Sequence, residues 1–169
     1  MPSGRLSFTL EWGGYKSVPE NWVSDYMQDD NREREIELRK AKFVDTGAEG
    51  LFRQLWNQVE TDIARFHDAG GDSGLTSQFM PSCTFVVRRI EGYPTIDLEV
   101  TVQNGYIAYS RQVKSDRVSS EETKEGQLRI VSDLQGRLQV KHNGEPFKDH
   151  AALSKFLLLP VFEYLRKNQ

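Results

Sequence analysis

Cysteine is almost absent. Cys83 is the only one in 169 residues, so no intramolecular disulfide can form, which fits a reducing compartment. It precedes a strand-like apolar run and reads as a buried, inert thiol, since reactivity needs a lowered pKa and access. Histidine is scarce as well. His67, His142 and His150 are scattered, with neither the HExxH spacing nor the paired cysteines of a metal site. No Walker loop appears and no GxGxxG follows a strand, so neither a metal nor a cofactor is expected. Long apolar runs are also missing. The most apolar stretch, "LSKFLLLPVFEYL" at 153–165, is too short and too interrupted to span a bilayer. The first residues, "MPSGRLSF", lack a basic region followed by an apolar one. A cytoplasmic protein with no membrane contact is expected. Positive charge is not in excess either: 22 Lys and Arg stand against 25 Asp and Glu, for a formal net charge of −3. Nucleic-acid affinity rests largely on phosphate neutralisation, so a nucleic-acid partner is disfavoured.

What is present suits an ordinary core, because a chain of this size buries roughly 70% of its unfolded surface. Leu6, Phe8, Leu10 and Trp12 alternate with polar residues, the period-two pattern of a half-buried strand. "WGGY" breaks it, and Ser17–Asp30 is compatible with a short helix carrying Pro19 in its first turn. Residues 29–40 hold nine charges in twelve positions. As a helix this run gains a Glu35–Arg39 pair in the favourable acid-first order, while Ile36 and Leu38 leave a strand open. Residues 1–45 are therefore read as an N-terminal arm, and 46–169 as one domain.

Thr46 and Glu49 match a capping box, which places the start of a long helix there. Ala48, Leu51, Phe52, Leu55, Trp56, Val59, Ile63 and Phe66 follow at spacings of three and four and form one apolar stripe. Glycines after His67 supply the C-terminal cap. Strand patterns then take over. "CTFVVRRI" and "TIDLEVTVQ" flank "EGYP", and Asn104-Gly105 is a two-residue hairpin signal leading into "YIAYSRQV". "KSDRVSSEETKEG" reads as a long loop, and "QLRIVSD" and "RLQVKH" as strands around Gln135-Gly136. Asn143-Gly144 marks another turn. Asp149 can cap a last helix over 150–167, whose core face is Leu153, Phe156, Leu157, Val161, Tyr164 and Leu165 and which carries Pro160 inside. The expected fold is α+β: an antiparallel meander of about five to six strands, covered on one face by a long N-terminal helix and a C-terminal helix. That order of elements is similar to cystatin-like folds and to secretion chaperones, a likeness of topology that implies no function.

Gly71–Gly74, "GDSG", resembles the nucleophile motif of trypsin-like serine proteases over those four residues. Such enzymes are two β-barrels whose histidine and aspartate come from distant upstream segments. Here a long helix runs straight into the motif, His67 lies six residues before Ser73, and no histidine precedes it. The nucleophile-elbow pattern GxSxG is not met either. Asp72 and Ser73 are read as polar turn residues. His67-Asp68 is similar to the HD pair of metal phosphohydrolases, but the other ligands of that all-helical family are missing. Asp97 and Glu99 share a strand face and could in principle divide acid and base roles; a polar outer sheet face accounts for them without chemistry.

No catalytic, cofactor-binding or metal-binding residue is assigned. The candidate interface residues are Leu159, Phe162, Trp12 and Trp22. At 100° per residue, Leu159 and Phe162 fall opposite the core face of the last helix, where polar residues belong. Their contact could be the protein's own arm through Leu6, Phe8 and Trp12, the same helix of a second subunit, or a separate protein. Trp12 and Trp22, with Tyr15 and Tyr26, suit protein contact or ordinary packing better than base stacking, because their segment is acidic. The expected role is a non-catalytic protein-binding or adaptor module. The alternatives are a small-ligand domain with a pocket between sheet and helices, and an enzyme without a recognisable motif.

Overall fold

The computed structural model describes residues 22–133 and 135–168. The expected strand at Leu6–Trp12, the side chain of Trp12 and the beginning of the Ser17–Asp30 segment lie outside them. The chain divides into two compact units, residues 1–37 and 38–169.

Helix α1 spans Trp22–Asp68. The charged run at 29–43 is thus helical. No proline or glycine interrupts residues 22–46, and pairs such as Asp30–Arg34, 3.1 Å apart, support the helix one turn at a time. The capping box at Thr46 is not formed. Thr46 lies inside the helix, where its hydroxyl donates to the Lys42 carbonyl at 3.0 Å, and Glu49 pairs with Arg53 at 2.9 Å. A capping pattern needs free backbone N–H groups to serve, and the turn before Thr46 has already engaged them. The far end behaves as expected. Gly70 has φ +82°, and Gly71 N–H bonds the Phe66 carbonyl while Gly70 N–H bonds that of His67. This is a Schellman cap, with glycine where the left-handed conformation is required.

Seven strands follow: β1 Thr76–Met80, β2 Thr84–Arg89, β3 Thr95–Gln103, β4 Tyr106–Lys114, β5 Glu122–Ser132, β6 Leu138–His142 and β7 Glu145–Pro146. Each pairs antiparallel with the next, so the sheet is a meander in chain order. Asn104 and Gly105 both have positive φ, +49° and +76°, as a type I′ turn demands, and they set the Gln103–Tyr106 register. The count is slightly above the expected five to six because the sequences of β1 and β7 carry no alternation. In "TSQFM" the only large apolar residues are the last two, and β7 is two residues long. Part of the expected loop at 114–126 is strand. β5 begins at Glu122, and its polar first half is held by backbone pairing with β4.

Helix α2 spans His150–Lys167, with the Asp149 carboxylate accepting from the Ala152 N–H at 2.8 Å. From Val44 onward α1 packs on the same sheet face as α2. The shared core joins Phe52, Leu55, Val59 and Ile63 of α1 to Phe85, Leu98, Val100, Ile107 and Leu128 of the sheet and to Leu153, Leu157, Val161 and Leu165 of α2. Trp56 is half-buried, its ring 5.4 Å from Phe85 and 5.8 Å from Phe79. The buried arc of α2 is wider than its sequence pattern indicates. It also takes in Leu158 and Ser154, whose hydroxyl donates to Asp62 of α1 at 2.8 Å. This helix packs against a second helix as well as the sheet.

Candidate interaction surfaces

The loop that carries Ser73 is tied down by its neighbour. Asp72 accepts the Gly74 N–H at 2.8 Å through one oxygen and the Arg89 Nε at 2.6 Å through the other. The two side chains of that ion pair are only 14% and 16% exposed. Arg89 also donates to the Pro94 carbonyl, so one carboxylate fastens the α1–β1 loop to the β2–β3 loop. Ser73 is exposed, and no histidine or carboxylate among the described residues hydrogen-bonds it. His67 stands in the last turn of α1, His142 in β6 and His150 at the start of α2. Among the described residues no three His, Cys, Asp or Glu side chains gather as metal ligands.

Cys83 sits in the β1–β2 turn with φ +51° and packs, partly buried, against the core. Asp97 and Glu99 do not act on each other. Asp97 accepts from Arg88 across the β2–β3 pair at 3.0 Å, while Glu99 points from the same sheet face with no such partner among the described residues.

The candidate interface residues separate. Trp22 opens α1, its side chain outside the description. Phe162 is not free. Its ring stacks on Phe66 of α1, with centroids 4.2 Å apart and planes 1° from parallel. Leu159, one turn away, remains 41% exposed. Between the helices lies a groove of about 420 Å³ lined by Asp62, Arg65, Phe66, Ala151, Lys155, Leu158, Leu159 and Phe162. The small Ala151 opens it, and the aromatic stack and Leu158 give it an apolar floor. Asp62 is occupied by Ser154, by Gln58 at 3.0 Å and by Arg65 at 3.4 Å. The ammonium of Lys155 and most of the Arg65 guanidinium, 73% exposed, leave the rim positive.

The periodicity of α1 already contained Phe66, but nothing in the sequence pairs it with Phe162. That contact depends on how the two helices cross. Asp72–Arg89 and Asp62–Ser154 were likewise unreadable, since each joins elements that only the fold brings together. No helix among the described residues is long and apolar enough to cross a membrane. No protein-family model, no curated protein and no solved structure matches the chain.

Proposed function

We propose that this chain is a non-catalytic protein-binding module whose α1–α2 groove receives a large apolar side chain from an acidic segment of a partner protein. The observation that carries the reading is Leu159, exposed beside a mostly apolar groove whose free charge is positive. A lone exposed leucine is ordinary; one at the lip of a recess floored by a stacked aromatic pair offers a pocket for an anchor residue. Carboxylates flanking that anchor would meet Lys155 and Arg65 and steer the encounter. Covering the exposed part of Leu159 contributes on the order of 1 kcal/mol, about fivefold in affinity.

A phage-displayed peptide library selected on the protein, then rescreened on Leu159→Glu, tests this. The enriched peptides should share a large apolar residue next to Asp or Glu and lose binding to the variant. Peptides that are basic, or that bind Leu159→Glu equally well, overturn the reading. So does a concentration-dependent dimer in analytical ultracentrifugation that Leu159→Glu dissociates, because the groove would then be filled by a second copy.

A further inference from the structure

The sheet face turned away from the helices is not a uniform polar surface. Residue size varies across it by register. One row runs Thr84, Thr101, Ala108, Gln127 and the next runs Val86, Glu99, Ser110, Glu125. The smallest side chains, Ala108 and Ser110, stand on β4 between Thr101 and Glu99 of β3 and Gln127 and Glu125 of β5, so the side chains themselves make a recess. It measures about 760 Å³ and is lined by Ser82, Thr84, Thr101, Gln103, Ser110 and Gln127 together with Glu99 and Glu125. Thr84 is 6% exposed and shares a 2.9 Å hydrogen bond with Thr101.

The charge in this recess is one-sided. Glu99 and Glu125 flank Ser110 in one register row, two strand spacings or about 10 Å apart at their Cα atoms. Neither makes an ion pair or hydrogen bond with another described residue, and among the described residues no Lys, Arg or His lines the recess. Arg88 on this face is engaged by Asp97, and Arg129 stands beyond Gln127, outside it. Charges in a concavity focus their field on what enters. A ligand bearing two separated ammonium groups on an alkyl chain would satisfy both carboxylates, lay its methylenes over Ala108 and the threonine methyls, and donate to the hydroxyls and amides. We infer that this face is a binding site for an aliphatic polyamine.

Titration calorimetry with spermidine, at low ionic strength on the full chain, should give saturable one-to-one binding that weakens as salt is added. Glu99→Gln and Glu125→Gln should each weaken it by about fivefold, the scale of one exposed ion pair, and Ser110→Phe should block it by filling the floor. Melting curves of all three variants establish that the fold is kept. Glu60→Gln, an exposed carboxylate elsewhere on α1, should leave the affinity unchanged. An equal loss in Glu60→Gln means the protein's net negative charge alone is responsible and overturns the inference. Absence of saturable binding, or glucose binding as well as spermidine, overturns it too. None of these outcomes depends on the α1–α2 groove, which Leu159→Glu tests separately.

Discussion

Asp72 does more than turn a loop. Both of its oxygens are engaged, and its partner Arg89 lies in the half-buried seam between two loops. Removing one member of such a pair strands the other in a poorly solvated place, at a cost of about 3 kcal/mol. Asp72→Ala should therefore lower the thermal midpoint by roughly 6–12 °C for a chain of this length. Ser73→Ala should melt like the wild type, and a fluorophosphonate probe should leave Ser73 unlabelled. Equal melting of Asp72→Ala and wild type would show the ion pair to be a surface contact without structural weight. The sequence allowed Asp72 to be read as a polar turn residue but did not indicate its partner, because 17 residues separate the two and no local pattern links them.

At the scale of elements, the β5–β6 connection has a carboxylate at its centre. Asp133 accepts the backbone N–H groups of Arg137 at 2.7 Å and Gln135 at 2.9 Å and the Arg137 Nε at 3.0 Å. The Arg137 backbone bond is the chief reason its carboxyl is held below the usual carboxylate range. A carboxyl depressed on folding adds stability above its unfolded pKa, and that stability is lost as pH falls through the folded value. Asp133→Asn should thus melt below wild type near neutrality, and the gap should close as the pH falls below about 4. A gap that stays constant over that range would mean that the amide reproduces the turn and the charge is irrelevant. Why β6 leads to this site is also an element-scale matter. Gly47 of α1 lets Leu138 approach so closely that a Cβ there would meet its Cδ1 at 2.5 Å, a packing demand invisible to helix propensity, which disfavours glycine mid-helix.

For the whole molecule, one core ties α1, the sheet and α2 together, so its central residues report on all three. Leu98 is fully buried at the middle of β3, and Leu98→Ala should cost about 2–5 kcal/mol. In a chain with Trp12 and Trp22 changed to Phe, so that Trp56 on α1 is the one reporter, unfolding followed by tryptophan fluorescence and by far-ultraviolet circular dichroism should shift together, as one cooperative core requires. If the two transitions separated, α1 would be held by something other than the sheet.

Period and punctuation determined most of the architecture. The 3.6-residue stripe of α1, the alternation of β3, the Asn-Gly turns and the Asp149 cap are local effects, settled by neighbours within a few residues, and all were legible in the sequence. Tertiary structure decided what lacks a local signal. β1 and the polar half of β5 become strands because a paired neighbour satisfies their backbone. The same holds for the surfaces. Helical angle alone set Leu159 and Phe162 apart from the core face, but only the crossing of α1 and α2 gave Phe162 to Phe66 and left Leu159 at a groove. Strand register alone placed Glu99 and Glu125 around Ser110, since residues on different strands become neighbours through backbone pairing that no single segment encodes.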